Sequence, residues 1–197
     1  MRKEGRTTKK NDIEKLSDAQ IVELVLSDLN AYRYIIGRYE EKLLRYIRRI
    51  LYVNKEDAED ILQEVFVKAY RNINSYNRKY KFSSWIYRIA HNEAVSFLRK
   101  KNNKFDTVQD DEIFDKIPSK SNIEDDFLTD LKGLEVRNIL ERLEKKYRDV
   151  LILRYFEQME YNEISDALRI PSGTVASLIN RGKKKFKILV QKYGKNI

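Results

Sequence analysis

The sequence predicts an all-α protein built as two helical units joined by an acidic tether, and three observations carry that expectation. Only six Gly and two Pro interrupt 197 residues, and no alternating β-branched run is present, the composition of a helical chain. The apolar residues, 42% of the chain, recur at spacings of three and four rather than two. Charge is segregated. Arg71 to Lys104 carries nine Lys or Arg and one acid; Lys104 to Asp130 carries nine acids and three bases; Ser172 to Lys195 carries seven Lys or Arg and no acid. A basic block, an acidic segment and a second basic block read as two modules with a connector. The length fits one or two domains, and the net charge of +9 with a pI near 9.5 points to a polyanionic partner.

Residues 1–20 read as a basic tail. Met1 to Lys10 is not followed by an apolar segment, so it is not a secretory signal. The N-terminal unit is expected over residues 21–103. Ile21, Leu24, Val25 and Leu29 mark the apolar face of a first helix. Tyr39, Leu43, Leu44, Ile47, Ile50 and Leu51 mark a second, longer one. Asn54 is placed to cap a third helix, with Asp57 at its third position completing a capping box. Its core face is Ala58, Ile61, Leu62, Val65, Phe66 and Ala69. After a loop from Asn72 to Lys81, a fourth helix starts near Ser83 and buries Ile86, Ile89, Ala90, Ala94, Phe97 and Leu98. Four helices with short connections form a bundle.

The linker, residues 104–130, is too polar to bury a core and is broken by Pro118 and its Ser and Asn neighbours. The C-terminal unit, residues 131–197, opens with Leu134, Ile139, Leu140 and Leu143, then Tyr147, Val150, Leu151 and Tyr155. The most specific local pattern follows: a helix from Tyr161 to Leu168, a break at Arg169, Ile170 and Pro171, and a second helix from Ser172. Ile164 and Leu168 are set to face Val175, Ile179 and Phe186. A short helix, a tight turn and a basic helix make a helix-turn-helix.

The chemistry of the second helix suits DNA. Ser172 can cap it, and Gly173 permits close backbone approach to a phosphate at the positive end of the helix dipole. Thr174, Ala176, Ser177, Asn180 and Arg181 lie off the apolar face, where base edges could be reached. Lys183, Lys184, Lys185 and Lys187 suit phosphates, which give affinity without sequence information. In the N-terminal unit, Arg71, Arg78, Lys79, Lys81 and Arg88 supply charge. Asn74, Ser75, Tyr76, Asn77 and Tyr80 supply hydrogen bonds and stacking surfaces. Cations that hold a strand and aromatic faces that receive an unstacked base are what strand opening needs. Trp85 reads as a packing anchor somewhat more than as a stacking face, and His91 as a polar surface or phosphate contact rather than a catalyst.

Tyr161-Asn162-Glu163-Ile164 through Ile170-Pro171-Ser172-Gly173-Thr174-Val175 resembles the C-terminal domain of bacterial RNA polymerase sigma factors of the extracytoplasmic-function group. The resemblance implies minus-thirty-five recognition by Ser172, Gly173, Thr174, Ala176, Ser177, Asn180, Arg181, Lys184 and Lys185. Ala176, Leu178 and Gly182 depart from the family's usual residues, and Gly182 is expected to cost about 1 kcal/mol of helix stability relative to Ala. Asp57-Ala58-Glu59-Asp60-Ile61-Leu62-Gln63-Glu64-Val65-Phe66 is similar to the family's polymerase-binding helix. That likeness implies that Asp57, Asp60, Gln63 and Glu64 bind core polymerase at a beta-prime coiled coil. Phe82-Ser83-Ser84-Trp85-Ile86-Tyr87-Arg88-Ile89-Ala90-His91-Asn92 resembles the family's minus-ten segment. It implies minus-ten contacts by Arg71, Asn74, Tyr76, Arg78, Lys79, Lys81, Trp85, Arg88, His91 and Asn92. The implied partners are core RNA polymerase (beta-prime coiled coil and beta flap), promoter DNA and an anti-sigma factor. The resemblance also implies that the tether threads polymerase near the RNA path, where its acids would mimic RNA; the alternatives are a solvated spacer, or acids that fold back onto either basic block in the free protein and damp nonspecific DNA binding. The resemblance covers about Leu24 to Lys104 and Leu134 to Tyr193.

With no Cys and a single His, His91, disulfide scaffolds, thiolate metal sites and multi-histidine sites are excluded. No apolar run approaches the roughly 20 residues that span a bilayer, and the chain is expected in the cytoplasm, without membrane insertion. An enzyme acting on nucleic acid would hold Mg2+ on clustered carboxylates. The densest cluster here, Asp110-Asp111-Glu112, falls in the tether, and a Gly-rich phosphate loop is absent. No catalytic residue, cofactor or metal site is therefore expected. A dimeric regulator acting without polymerase would account for the C-terminal unit alone.

Overall fold

The computed structural model describes residues 13, 15–102 and 131–193; the linker expected at residues 104–130 lies outside them. All regular structure among the described residues is helical. Helix α1, Asp18–Ser27, is held by a capping box in which Gln20 N–H donates to Ser17 Oγ and Ser17 N–H to Gln20 Oε1. A unit boundary at residue 21 would cut through it. Ile21 and Val25 are buried as expected, but Leu29 is 60% exposed. The cause is Asp28: extended, it ends α1, and its carboxylate caps a 3-10 turn at Leu29–Ala31 by accepting Asn30 N–H at 3.0 Å.

Helix α2, Tyr32–Leu51, buries Ile35, Tyr39, Leu43, Tyr46, Ile47 and Ile50 along one stripe and ends at Tyr52 in the left-handed region. Asp18 ties it to α1 by accepting from Arg38 at 2.7 Å and from the Tyr39 hydroxyl at 2.5 Å. In α3, Lys55–Arg71, all six expected core residues are buried, and the Asn54 half of the expected box forms, Asp57 N–H donating to Asn54 Oδ1 at 2.7 Å. A second 3-10 turn, Ile73–Ser75, lies in the 72–81 loop. Helix α4, Phe82–Asn102, starts one residue before the expected Ser83, so Ser83 is inside the first turn and Lys81 C=O accepts from Trp85 N–H. Ile89 and Phe97, expected in the core, are only partly buried against it.

The C-terminal unit comprises α5, Leu131–Glu141, α6, Lys145–Tyr155, α7, Tyr161–Leu168, and α8, Ser172–Tyr193. Helix α7 has the bounds expected, and α8 starts at the expected Ser172. Arg169, at φ 55°, makes the turn, and Ile170 N–H returns to Ser165 C=O at 3.2 Å. Pro171 C=O accepts from both Thr174 and Val175 N–H. The cap position therefore falls to Pro171, and the Ser172 expected there is the first helical residue. Ile164, Val175 and Ile179 are buried, with Leu168 and Phe186 partly so. Tyr155, expected on the core face, is 54% exposed because α6 ends on it.

Gly182 is a crossing point rather than only a weak helix former. A Cβ there would lie 3.3 Å from Leu151 and Tyr147 on α6. Gly182→Val is expected to destabilise the C-terminal unit by about 1–3 kcal/mol through overpacking, read as a lowered midpoint in urea. Gly182→Ala should change stability far less, because the helix propensity it gains opposes a milder crowding.

The two units are docked. Their buried residues form one continuous apolar cluster from Ile21 to Ile179. The most extensive helix pairing in the molecule is α4 against α7, one helix from each unit, and α2 also packs on α6.

Candidate nucleic-acid and polymerase interfaces

The acidic face of α3 is displayed. Asp60, Gln63 and Glu64 are exposed and Asp57 half-buried, while Ile61, Leu62, Val65 and Phe66 between them point into the core. Helical spacing alone separates the two roles.

The 72–81 loop and the start of α4 enclose a narrow cleft of about 70 Å3, lined by Ser75, Tyr76, Asn77, Tyr80, Ser84, Trp85, Arg88 and, from the other unit, Asp166. Its wall is an aromatic stack: Trp85 packs on Phe82 and Tyr76 with ring centroids 5.3 and 5.7 Å away. Trp85 is thus 6% exposed, a packing anchor as well as a cleft wall. Tyr76 is fixed by donating its hydroxyl to Tyr80 C=O at 2.7 Å. The Ser84 hydroxyl is buried and has no hydrogen-bond partner among the described residues. Around the loop, Arg71, Asn74, Lys79 and Lys81 are exposed, and Arg78 forms an exposed pair with Glu23 at 2.5 Å. Asn92 is exposed further along α4.

His91 is not displayed for phosphate contact here. It lies between Tyr46, whose hydroxyl is 3.1 Å from Nδ1, and Asp149, 3.9 Å from Nε2. Burial pushes its imidazole below the ordinary value of 6.5, and Asp149 opposes that shift. Arg88, half-buried, is likewise lowered by desolvation and by Arg169, with Asp166 pulling the other way.

Four acids of the C-terminal unit face four basic side chains of the N-terminal one. Glu157, only 5% exposed at its side chain, accepts from Arg49 at 2.8 Å and from the Tyr87 hydroxyl at 2.6 Å. Glu163 lies 3.3 Å from Lys81 Nζ and accepts from Ser83 Oγ at 3.2 Å. Asp166 and Arg88 line the same cleft, and Asp149 lies 3.9 Å from His91 Nε2. Sequence reasoning singled out none of Arg49, Ser83, Tyr87, Asp149, Glu157, Glu163 and Asp166 for this contact. A signal existed: Glu157, Glu160, Glu163 and Asp166 recur every three residues, with no Lys or Arg from Glu157 to Leu168, inside an otherwise basic unit.

On α8, Ser172, Gly173, Thr174, Ser177, Asn180, Arg181 and Lys184 are exposed, and Ala176 is half-buried. Nothing lies within 4 Å of a Cβ built on Gly173, so the helix start is open to a close approach. Ser177 Oγ donates back to Gly173 C=O at 3.0 Å. Lys185, although exposed, is drawn onto α6: it pairs with Glu144 and lies 4.7 Å from the centroid of the Tyr147 ring. The hydrogen bond from Lys185, then that from Lys146, holds Glu144 below the ordinary carboxylate value. No group of three His, Cys, Asp or Glu among the described residues could hold a metal ion, and no described helix is long and apolar enough to cross a membrane.

A tyrosine-lined cleft beside cations on one unit and an open helix-turn-helix on the other define a two-part DNA-engaging factor. Comparison with known proteins agrees. The family model for sigma-70 region 2 matches residues 35–104, and that for sigma-70 region 4 matches residues 133–186. The chain is 33% identical over 184 residues to the ECF RNA polymerase sigma factor SigW of Bacillus subtilis, covering 87% of this chain and 95% of that one. In fold it is similar to CnrH, solved in complex with the cytosolic domain of CnrY, at a TM-score of 0.66 with 19% identity, over 89% of this chain and 98% of the other. The sigma factor RpoE of Bartonella quintana, solved with the anti-sigma factor NepR, gives 0.61 at 17% identity, over 81% and 96%. The chain belongs to the sigma-70 family, in its extracytoplasmic-function (ECF) group. It therefore recognises promoters and initiates transcription with RNA polymerase, and its family is one of initiation factors rather than catalytic enzymes.

Proposed function

We propose that the α1–α4 unit reads and opens the minus-ten element, that the α5–α8 unit reads the minus-thirty-five element, and that α3 holds the chain on core polymerase. The observation that carries this reading is the cleft. Its buried, unpartnered Ser84 hydroxyl and its Tyr76, Tyr80 and Trp85 rings offer a hydrogen bond and stacking faces to an unstacked base. Lys79, Lys81 and Arg88 supply phosphate contacts beside it. Asp57, Asp60, Gln63 and Glu64 meet the beta-prime coiled coil, and the C-terminal unit meets the beta flap. The chain performs no chemistry and needs no cofactor; it works in the cytoplasm, and an anti-sigma factor of the kind that binds the Bartonella protein is a further partner.

The division of labour on α8 is tested by substitution. Lys184→Glu should weaken upstream DNA binding on all sequences and reduce the salt slope by about 0.9, the share of a single phosphate. Asn180→Ala should instead change preference at one base pair by about 1–3 kcal/mol. Lys185→Glu should also lower the melting temperature, because it sets two carboxylates against each other at Glu144. Equal shifts in specificity from Lys184→Glu and Asn180→Ala, measured by binding to a set of promoter variants, would show that the roles are not divided.

A further inference from the structure

We infer that His91 makes the contact between the two units proton-sensitive: the units hold each other while its imidazole is neutral and loosen when the ring takes a second proton. His91 is the only histidine of the chain. It sits on α4 at the seam, with partners from both sides. Tyr46 of α2 lies 3.1 Å from its Nδ1, and Asp149 of α6, in the other unit, lies 3.9 Å from its Nε2. These partners select a tautomer. A carboxylate beside Nε2 favours a proton there, so Nδ1 accepts from the Tyr46 hydroxyl. Tyr46 is fully buried, and among the described residues Nδ1 is the only hydrogen-bond partner of its hydroxyl.

A proton on Nδ1 destroys that bond. The imidazolium donates from both nitrogens, and the buried Tyr46 O–H is left without an acceptor. Attraction to Asp149 does not offset the loss. At 3.9 Å the pair is longer than a hydrogen bond, and the same Oδ2 already lies 3.1 Å from Lys145 Nζ, a cation that opposes a second one beside it. The other charges near the seam are Glu157, which reaches Tyr46 together with Tyr87, and Arg49, paired with Glu157. Burial and Lys145 disfavour the charged ring, against Asp149, so the docked imidazole binds its proton less readily than the ordinary value of 6.5 implies. With the units apart, α6 and its burial are removed. Docking is therefore at full strength above the ordinary histidine value and weakens as pH falls from it toward the lower docked one.

The full chain has no cysteine, so two introduced thiols take dyes without competition. Glu40→Cys on α2 and Gln191→Cys on α8, both exposed, carry a donor and an acceptor. Single-molecule energy transfer then counts docked and parted chains. The ratio of parted to docked chains should rise about three- to tenfold between about pH 7.5 and about pH 5.5, the upper figure being the limit for one proton excluded from the docked state. In His91→Asn, the amide oxygen stands in for Nδ1 as an acceptor for Tyr46 and binds no proton. Its ratio should change by less than about twofold over the same range. Every carboxylate of the seam is kept in that variant, so protonation of those groups moves both chains alike. Circular dichroism melting checks the fold, and His91→Gln replaces the asparagine variant if the latter does not fold. With a single histidine, the imidazole C–H resonances of the unaltered chain also report the ring alone, and they should titrate below 6.5. Titration at or above that value overturns the inference. So does an unaltered chain whose ratio does not move, or one that shows no parted molecules at either pH. A His91→Asn chain that follows the unaltered one overturns it too, and assigns the effect to the carboxylates.

Discussion

Replacing Asp60 and Gln63 together by Ala is expected to lower affinity for core polymerase by at least about a hundredfold, corresponding to roughly 2.7 kcal/mol, while leaving the fold intact. Both side chains are exposed on α3, and the core packing of that helix belongs to Ala58, Ile61, Leu62, Val65, Phe66 and Ala69. Surface substitutions of this kind usually move stability by no more than about 0.5 kcal/mol, whereas a few residues at the centre of an interface carry most of its energy. Circular dichroism melting and polymerase binding, measured on the same preparation, separate the two. A double variant that melts early and binds normally once folded would make Asp60 and Gln63 structural residues.

Trp85→Ala is expected to cost about 3–5 kcal/mol of stability, a large part of the about 5–15 kcal/mol that holds an ordinary domain folded. The indole is nearly buried and closes a cluster with Phe82, Tyr76 and, through Phe82, Tyr39 on α2. Trp85→Phe keeps a ring against those partners and should retain the fold. If the indole also stacks on a base, Trp85→Phe should still weaken single-stranded DNA binding, since such stacking is worth about 1–3 kcal/mol per base. Urea denaturation followed by fluorescence-anisotropy titration with a labelled strand gives both numbers. A folded Trp85→Phe chain with full DNA affinity would confine the residue to packing.

Much of this architecture is legible in the chain because it depends on local periodicity. The six core positions of α3, the Asn54 cap, the bounds of α7 and the start of α8 follow from spacing and from residues within one turn of each other. The misplacements have equally local causes. Leu29 leaves the apolar face because Asp28 makes a better cap than a helix interior residue, and Ser172 loses the cap to Pro171, whose carbonyl was already placed to accept two amides. The docking of the units was not legible in periodicity. Glu157 meets Arg49 and Tyr87, which are 108 and 70 residues away, and helical spacing within a segment says nothing about partners at that range. The same distance hides the fate of His91, which is enclosed by Tyr46 from α2 and Asp149 from α6.

That separation along the chain also orders events in time. Contacts of such long range form late, and synthesis completes α4 before the 66 residues from Asn103 to Leu168, which end with α7, are made. At about 5–20 residues per second, the N-terminal bundle waits roughly 3–13 s for the helix that packs on α4. The N-terminal bundle therefore closes on its own core before α7 is there to dock on α4.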